Sequence, residues 1–328
     1  MLNAGNPDEQ LAPGVIDCED LQAAIDHHVA ALGWRLDMIT PADEPRLALL
    51  SRGGRTLRVQ CQRPPAPAPA HNGAGPFAIA RADGADPWTR GRAGMQYRDL
   101  IAGRLGGRYI ASHIRIQQGG PVPDYVHYHQ VRFQVIYCLR GWVRVVYEDQ
   151  GPPFVMVPGD CVLQPPTIRH RVLEASDGLE VIEVGGPAEH ATWREHEMEL
   201  PTPQLLPDRR YGDQRFVRHV AADARWRASA YAGFERRDTG IDLATGGLAS
   251  VGVMRAAAQA GAPPHRHAHA GDLLFWQVLD GELELLSDAL GTQVLRAGDA
   301  CAIPKGADYA PAARGGCELL EVAVVQGG

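Results

Sequence analysis

The sequence has no CxxC pair, no dense run of Lys and Arg, and no apolar stretch near the length of a membrane span. Each absence closes off a class of protein. Cys18, Cys61, Cys138, Cys161, Cys301 and Cys317 are scattered singly. In a reducing compartment they read as small buried hydrophobes, and disulfides are not expected. A net charge of −7 with no basic run argues against nucleic acid or an anionic membrane as partner. The opening "MLNAGNPDEQLAPG" has neither a basic start nor an apolar core, so no signal peptide is expected and the expected location is cytoplasmic. What is present, 45% apolar and 22% charged residues over 328 positions, is the composition of a soluble globular protein with two or three domains.

Residues 14–61 read as a small α/β unit. "VIDC" is a short strand, Asp17 is placed to cap the following helix, and Asp20 falls in its first turn. Leu21, Ile25, Val29 and Leu32 recur at helical spacing, and Gly33 ends the helix. "RLDMIT", "RLALL" and "TLRVQC" are strands separated by turns. This βαβββ order resembles one module of the vicinal-oxygen-chelate (glyoxalase) superfamily. That resemblance implies two paired modules and an acid near the end of the last strand. Here a single module ends in Gln60 and Cys61, so a docking element is expected rather than a second active site. It would cover a barrel mouth, mediate dimerisation or be a relic. Residues 62–92 are expected as a linker, opening with the Pro/Ala-rich "QRPPAPAPAHNGAGP".

Beyond the linker, short β-branched runs alternate with Gly and Pro turns, an all-β pattern. The pattern repeats at an offset of about 140 residues. "YRD" at 97–99 answers "RRD" at 236–238, and Gly106-Gly107 answers Gly246-Gly247. His127 and His129 answer His267 and His269, and "PGDCVLQPPTIRH" answers "AGDACAIPKGADY". A duplicated barrel is the economical reading, with residues 93–200 as the first copy and 201–328 as the second.

These residues carry a resemblance to the cupin superfamily, and specifically to bicupins. Its first motif has Gly, His-x-His, an acid about five residues on, and Gly; the chain has Gly120, His127, His129, Gln134 and Gly141. Its second has Gly, Pro, Gly and His; the chain has Gly159, Pro165, Thr167 and His170. The pattern is broken at Gln134 and Thr167. The resemblance implies two jelly-roll (double-stranded β-helix) barrels, mainly β, with a divalent metal held by His127, His129, Gln134 and His170. Three imidazoles and one oxygen donor suit Fe(II), Mn(II), Ni(II), Co(II) or Zn(II) and disfavour calcium. A glutamine in place of an acid leaves the ion its full charge and favours anionic chelating ligands. The alternative is that Gln134 only hydrogen-bonds a ligand histidine.

Neighbouring residues are weaker candidates. In "RYIASHIRIQ", Tyr109, His113 and Arg115 share a face, and Arg115 is placed to clamp a substrate carboxylate if that face lines the barrel. Arg132 and Arg144 are weaker still, Tyr137 and Trp142 are expected to pack, and His190 and His196 to lie on the surface. In the second repeat His265, His267 and His269 remain, but Leu274 stands where Gln134 does and Tyr309 where His170 does. That barrel is expected to be a degenerate partner. The alternative is a site completed by His265 or Asp272.

Three functions fit. The first is a mononuclear non-haem Fe(II) dioxygenase acting on a small anionic chelating substrate: an enol, a catechol-like ring or a keto acid. The second is a non-redox Zn, Ni or Mn isomerase, cyclase or lyase. The third is a non-catalytic small-molecule-binding protein. A compact monomer and a symmetric homodimer are both compatible with barrel-on-barrel packing.

Overall fold

The computed structural model describes residues 14–61, 77–84, 88–257 and 265–325, and most of its elements are strands. The N-terminal unit has the expected order: Gly14–Cys18, the helix Leu21–Asp26, then Arg35–Thr40, Leu47–Arg52 and Arg55–Cys61. The first strand lies parallel to the last. Asp20 rather than Asp17 is the N-cap, accepting from the Ala23 amide at 3.0 Å. Asp17 is held in the strand opposite Gln60, too early in the chain to reach the first free amides of the helix. Only Leu21 and Ile25 of the expected apolar face are buried; Val29 and Leu32 lie in or beyond the wider turn His27–Ala31 and are exposed.

The unit does not stand apart from the barrels. Arg35–Thr40 pairs with Thr192–Arg194, which pairs with His127–His129. One ten-stranded sheet therefore runs from the N-terminal unit into the first barrel and ends beyond His170–Ala175 and Val143–Tyr147. The opposing seven-stranded sheet is centred on Phe133–Arg140 and Leu179–Gly186. In the second barrel, Leu273–Ser287 and Asp308–Val324 pair along most of their lengths, with register shifts near Val278 and Gly281 that bend the ribbon.

Two segments cross the expected boundaries. Ala78–Ala80, expected as linker, is an edge strand on Ala300–Ile303 of the second barrel. Val217–His219, expected in the second barrel, pairs with Cys161–Leu163 of the first. Each covers a strand edge that would otherwise present unpaired backbone groups.

Between the barrels lies a common apolar core. Phe133, Val135 and Tyr137 enter it from the first barrel, as do Ile182 and Val184; Val251, Phe275, Leu320 and Val322 enter from the second. Alternation along a strand then turns Gln134, Ile136 and Glu183 into the first barrel. The inter-barrel core thus fixes what faces the site.

Candidate metal centre

His127 and His129 stand at the two ends of a three-residue strand, so both side chains leave on one face. His170 opens the adjacent strand directly opposite His127. Ring centroids are 4.2 Å apart for His127 and His170, and 5.1 Å for His129 with either. One nitrogen from each ring lies within 4.8 Å of the others, and all three residues are buried. The Nδ1 atoms are already engaged: His127 with the Tyr125 carbonyl at 2.8 Å, His170 with the Ile168 carbonyl at 3.0 Å, His129 with Thr192 Oγ1 at 2.9 Å. An Nδ1–H donated to a carbonyl leaves the lone pair on Nε2, the arrangement that orients imidazoles toward an ion. Burial holds His127 and His129 well below the ordinary histidine range and takes His170 down to about 4. Neutral imidazoles are what a metal requires.

Gln134 lines the same chamber as these histidines. Its amide NH2 donates to Glu183, and its Oε1 is buried with no hydrogen-bond partner among the described residues. A buried acceptor left unpaired costs roughly 1–3 kcal/mol unless something satisfies it. Three imidazoles and an amide oxygen on residues lining one chamber are a donor set that suits a divalent transition ion. The chamber measures about 100 Å³; its wall is largely aliphatic, with Ile114, Val145 and Val181 among others, and also includes Tyr147, Gln164 and Arg115.

Three residues that the sequence reading missed or misplaced stand here. Glu183 is the acid that position 134 lacks, supplied from the neighbouring strand; burial pushes its carboxyl above the ordinary range. An acid inside the apolar run "LEVIEVGG" was a legible signal. Arg92, in the turn Arg92–Gly94, places Nη2 2.9 Å from His127 Nε2 and pairs through Nη1 with the fully buried Asp124. Burial opposes its charge, but Asp124 outweighs this and holds the guanidinium above its ordinary value. Nothing in "RGRAG" marked it. His190 is buried rather than on the surface, its ring 5.4 Å from that of His129. The N-terminal unit covers it, with Thr40 Oγ1 donating to the His190 carbonyl at 3.1 Å. His196 is likewise held against the unit, through the Leu36 carbonyl at 3.0 Å.

Arg115 lies among the residues that border the chamber, whereas His113 does not. Their strand turns Ile114 and Ile116 into the barrel. The Arg115 guanidinium stacks 3.8 Å from the Trp88 ring and donates to Gln96, while His113 meets Glu180 at 2.9 Å. Arg144 pairs with Glu174 at a half-exposed edge, and Tyr137 packs between the barrels.

In the second barrel His267 lies opposite Tyr309, as His127 lies opposite His170. Tyr309 meets the Tyr231 hydroxyl at 3.1 Å, and Tyr231 and Trp276 both donate to Glu321 at 2.9 Å. Leu274 packs in the apolar core and His265 is exposed. Among the described residues only the first-barrel histidines form a group with metal-ligand spacing.

The family model for the cupin domain matches residues 112–185. Among solved structures, salicylate 1,2-dioxygenase from Pseudaminobacter salicylatoxidans superposes with a TM-score of 0.51 at 16% identity, covering 66% of this chain and 71% of that one. Bacillus subtilis oxalate decarboxylase, described as having Mn(II) centres, superposes with a TM-score of 0.54 at 13% identity, covering 80% and 81%. The chain has the bicupin fold. No curated protein matches its sequence. In this bicupin the first barrel carries the candidate metal site. No helix among the described residues is long and apolar enough to cross a membrane.

Proposed function

We propose that the protein is a metal-dependent enzyme, specifically a mononuclear non-haem Fe(II) dioxygenase acting on a small anionic chelating substrate. Such a substrate is an enol, a catechol-like ring or a keto acid. The observation that carries this reading is the meeting of three neutral imidazoles, the unpartnered Gln134 Oε1 and the Arg92 guanidinium at one apolar chamber. None of these donors cancels the charge of a dication, so the site favours an anion. Both fold neighbours are named for carboxylate substrates, which supports the same class.

When bound, the ion supplies Lewis acidity and, as Fe(II), electrons for oxygen chemistry. The chain's own residues do the rest. His127, His129 and His170 hold the ion, with their Nδ1 atoms fixed by Tyr125, Thr192 and Ile168. Glu183 orients the Gln134 amide so that its oxygen faces the chamber. Arg92 holds the substrate's charge, and the largely apolar wall packs against its remainder.

Glu183 favours a second reading, a non-redox Zn, Ni or Mn isomerase, cyclase or lyase, because a buried carboxyl beside the site can move a proton. Anaerobic purification, metal analysis and oxygen uptake with a panel of carboxylates and enols separate the two. Iron with substrate-dependent uptake supports the dioxygenase. Zinc, nickel or manganese with oxygen-independent turnover supports the second reading, and metal without turnover of any panel member leaves a binding protein.

A further inference from the structure

Cys18 and Cys61 end two neighbouring strands, and their sulfurs meet. We propose that this pair is a redox modification site: it forms a reversible disulfide, by exchange with a small disulfide such as glutathione disulfide, that pins the N-terminal edge strand to its sheet. The inference is independent of the metal centre.

Placement carries it. Gly14–Cys18 and Arg55–Cys61 run parallel, and Cys18 is the register partner of Cys61. Register partners on neighbouring strands stand about 4.8 Å apart, inside the window of roughly 4.4–6.8 Å that a disulfide spans between Cα atoms. The two Sγ atoms are 3.3 Å apart. Rotation of the side chains closes that gap without moving either strand. The expectation of buried hydrophobes holds for Cys138, Cys161, Cys301 and Cys317, but Cys18 and Cys61 are only half-buried. Both line a groove of about 1200 Å³ that Arg46, Arg90 and Tyr125 also border. A small disulfide can reach the sulfurs through it.

The exchange has an order. Burial, the Cys61 sulfur and the carboxylates of Asp20 and Asp17 push the Cys18 thiol up to about 12. Cys18 therefore stays protonated at neutral pH, and Cys61 attacks first. The Cys61 sulfur bonds to one sulfur of the incoming disulfide, whose S–S bond breaks; the departing thiolate takes up the Cys61 proton. The Cys18 sulfur then attacks Cys61 Sγ, and its proton goes to the second thiolate as that leaves. The protein is oxidised by two electrons, and the small disulfide is reduced to two thiols. A high pKa slows the second attack, and contact between the sulfurs offsets this through proximity.

The bond would hold the most weakly attached strand of the unit. Gly14–Cys18 is the edge of the ten-stranded sheet and pairs, among the described residues, only with Arg55–Cys61. Val15 and Ile16 are exposed, so little apolar burial keeps it there. A link between positions 43 apart closes a loop around the rest of the unit. The unit in turn presses on the turn that carries Arg92. At Gly91 a Cβ would fall 2.9 Å from the Ala42 and Asp43 carbonyls, and Ala42 lines the chamber.

The test takes the full chain, reduced and freed of reductant under nitrogen, and adds glutathione disulfide before alkylation in denaturant. The wild type should lose two of its six alkylatable thiols and regain them with dithiothreitol. Its digest should contain one peptide pair linking Cys18 to Cys61. Amide exchange over Gly14–Cys18 should slow at least tenfold in the oxidised form. Cys18→Ser should stop at a glutathione adduct on Cys61, and Cys61→Ser should form an adduct at least tenfold more slowly. A wild type that keeps all six thiols, links another pair or stops at the adduct overturns the inference, as does unchanged amide exchange. Metal content plays no part in these readouts, so the metalloenzyme reading stands or falls separately.

Discussion

The two barrels share a register and differ in what they turn inward. His127 faces His170 across two strands, and His267 faces Tyr309 across the equivalent two. Ile136 lies opposite Glu183, and Trp276 opposite Glu321, so each barrel keeps a buried acid at the same place. In the first barrel that acid takes the Gln134 amide and leaves Oε1 unpaired. In the second it receives Tyr231, Trp276 and Arg236, closing a network of protein groups. The turn before the final ligand position reverses the comparison. The second barrel has Gly306 at φ +81°, whereas the first has Thr167 at φ +65°, each with its amide bonded to the carbonyl of the second His-x-His histidine. One copy kept all four ligand positions and lost the glycine; the other kept the glycine and the histidine pair but has Leu274 and Tyr309 at the remaining two positions.

The sharpest way to break that comparison is to remove matched residues. His170→Ala should lower metal affinity more than 100-fold, taking content per chain near zero after dialysis, because the ion loses one of three imidazoles. His267→Ala should leave metal content unchanged, and a fall there would mean the second barrel is occupied.

The paired acids should separate stability from binding. Glu321→Ala takes from the largely buried Arg236 its buried partner, leaving it only the exposed Asp238, and from Tyr231 and Trp276 their acceptor, and should cost about 3 kcal/mol in urea unfolding. Glu183→Gln should cost under about 1 kcal/mol, since burial already favours the neutral acid, yet weaken metal retention about 10–100-fold by disturbing Gln134. Similar stability losses at both positions would erase the distinction.

The third contrast is with pH, measured with a chelator present. The unfolded chain takes up a proton at His170 near the ordinary 6.5, the folded chain only near 4. As pH falls from 6.5 toward 4, the unfolded state gains a proton that the folded state refuses, so stability drops, by about 3 kcal/mol at most. His170→Leu should lack this component; Tyr309 gives the second barrel no counterpart at that position, and in that barrel burial lowers only His269. The smallest effect is at the turn. Thr167→Gly should stabilise by about 1 kcal/mol by relieving a left-handed β-branched residue, and Gly306→Thr should destabilise by at least as much.

Much of this was legible in sequence because it depends on local spacing. The histidine pair, the duplication and the βαβββ order all follow from periodicity. The departure at Thr167 marked a real conformational demand, since its left-handed backbone is one that glycine meets without strain. What could not be read depends on contacts between distant segments. Arg92 joins the site because residues 42–43 press on its turn, and His190 is buried because the N-terminal sheet extends over it. Ala78–Ala80 leaves the linker because an edge in the second barrel needed a partner more than two hundred residues away.

The most direct measurement is anomalous diffraction from crystals of the protein loaded with manganese or iron. The account expects one peak per chain, about 2.1 Å from Nε2 of His127, His129 and His170, and none between His267 and Tyr309. A loaded crystal with no peak among the three first-barrel imidazoles would contradict it.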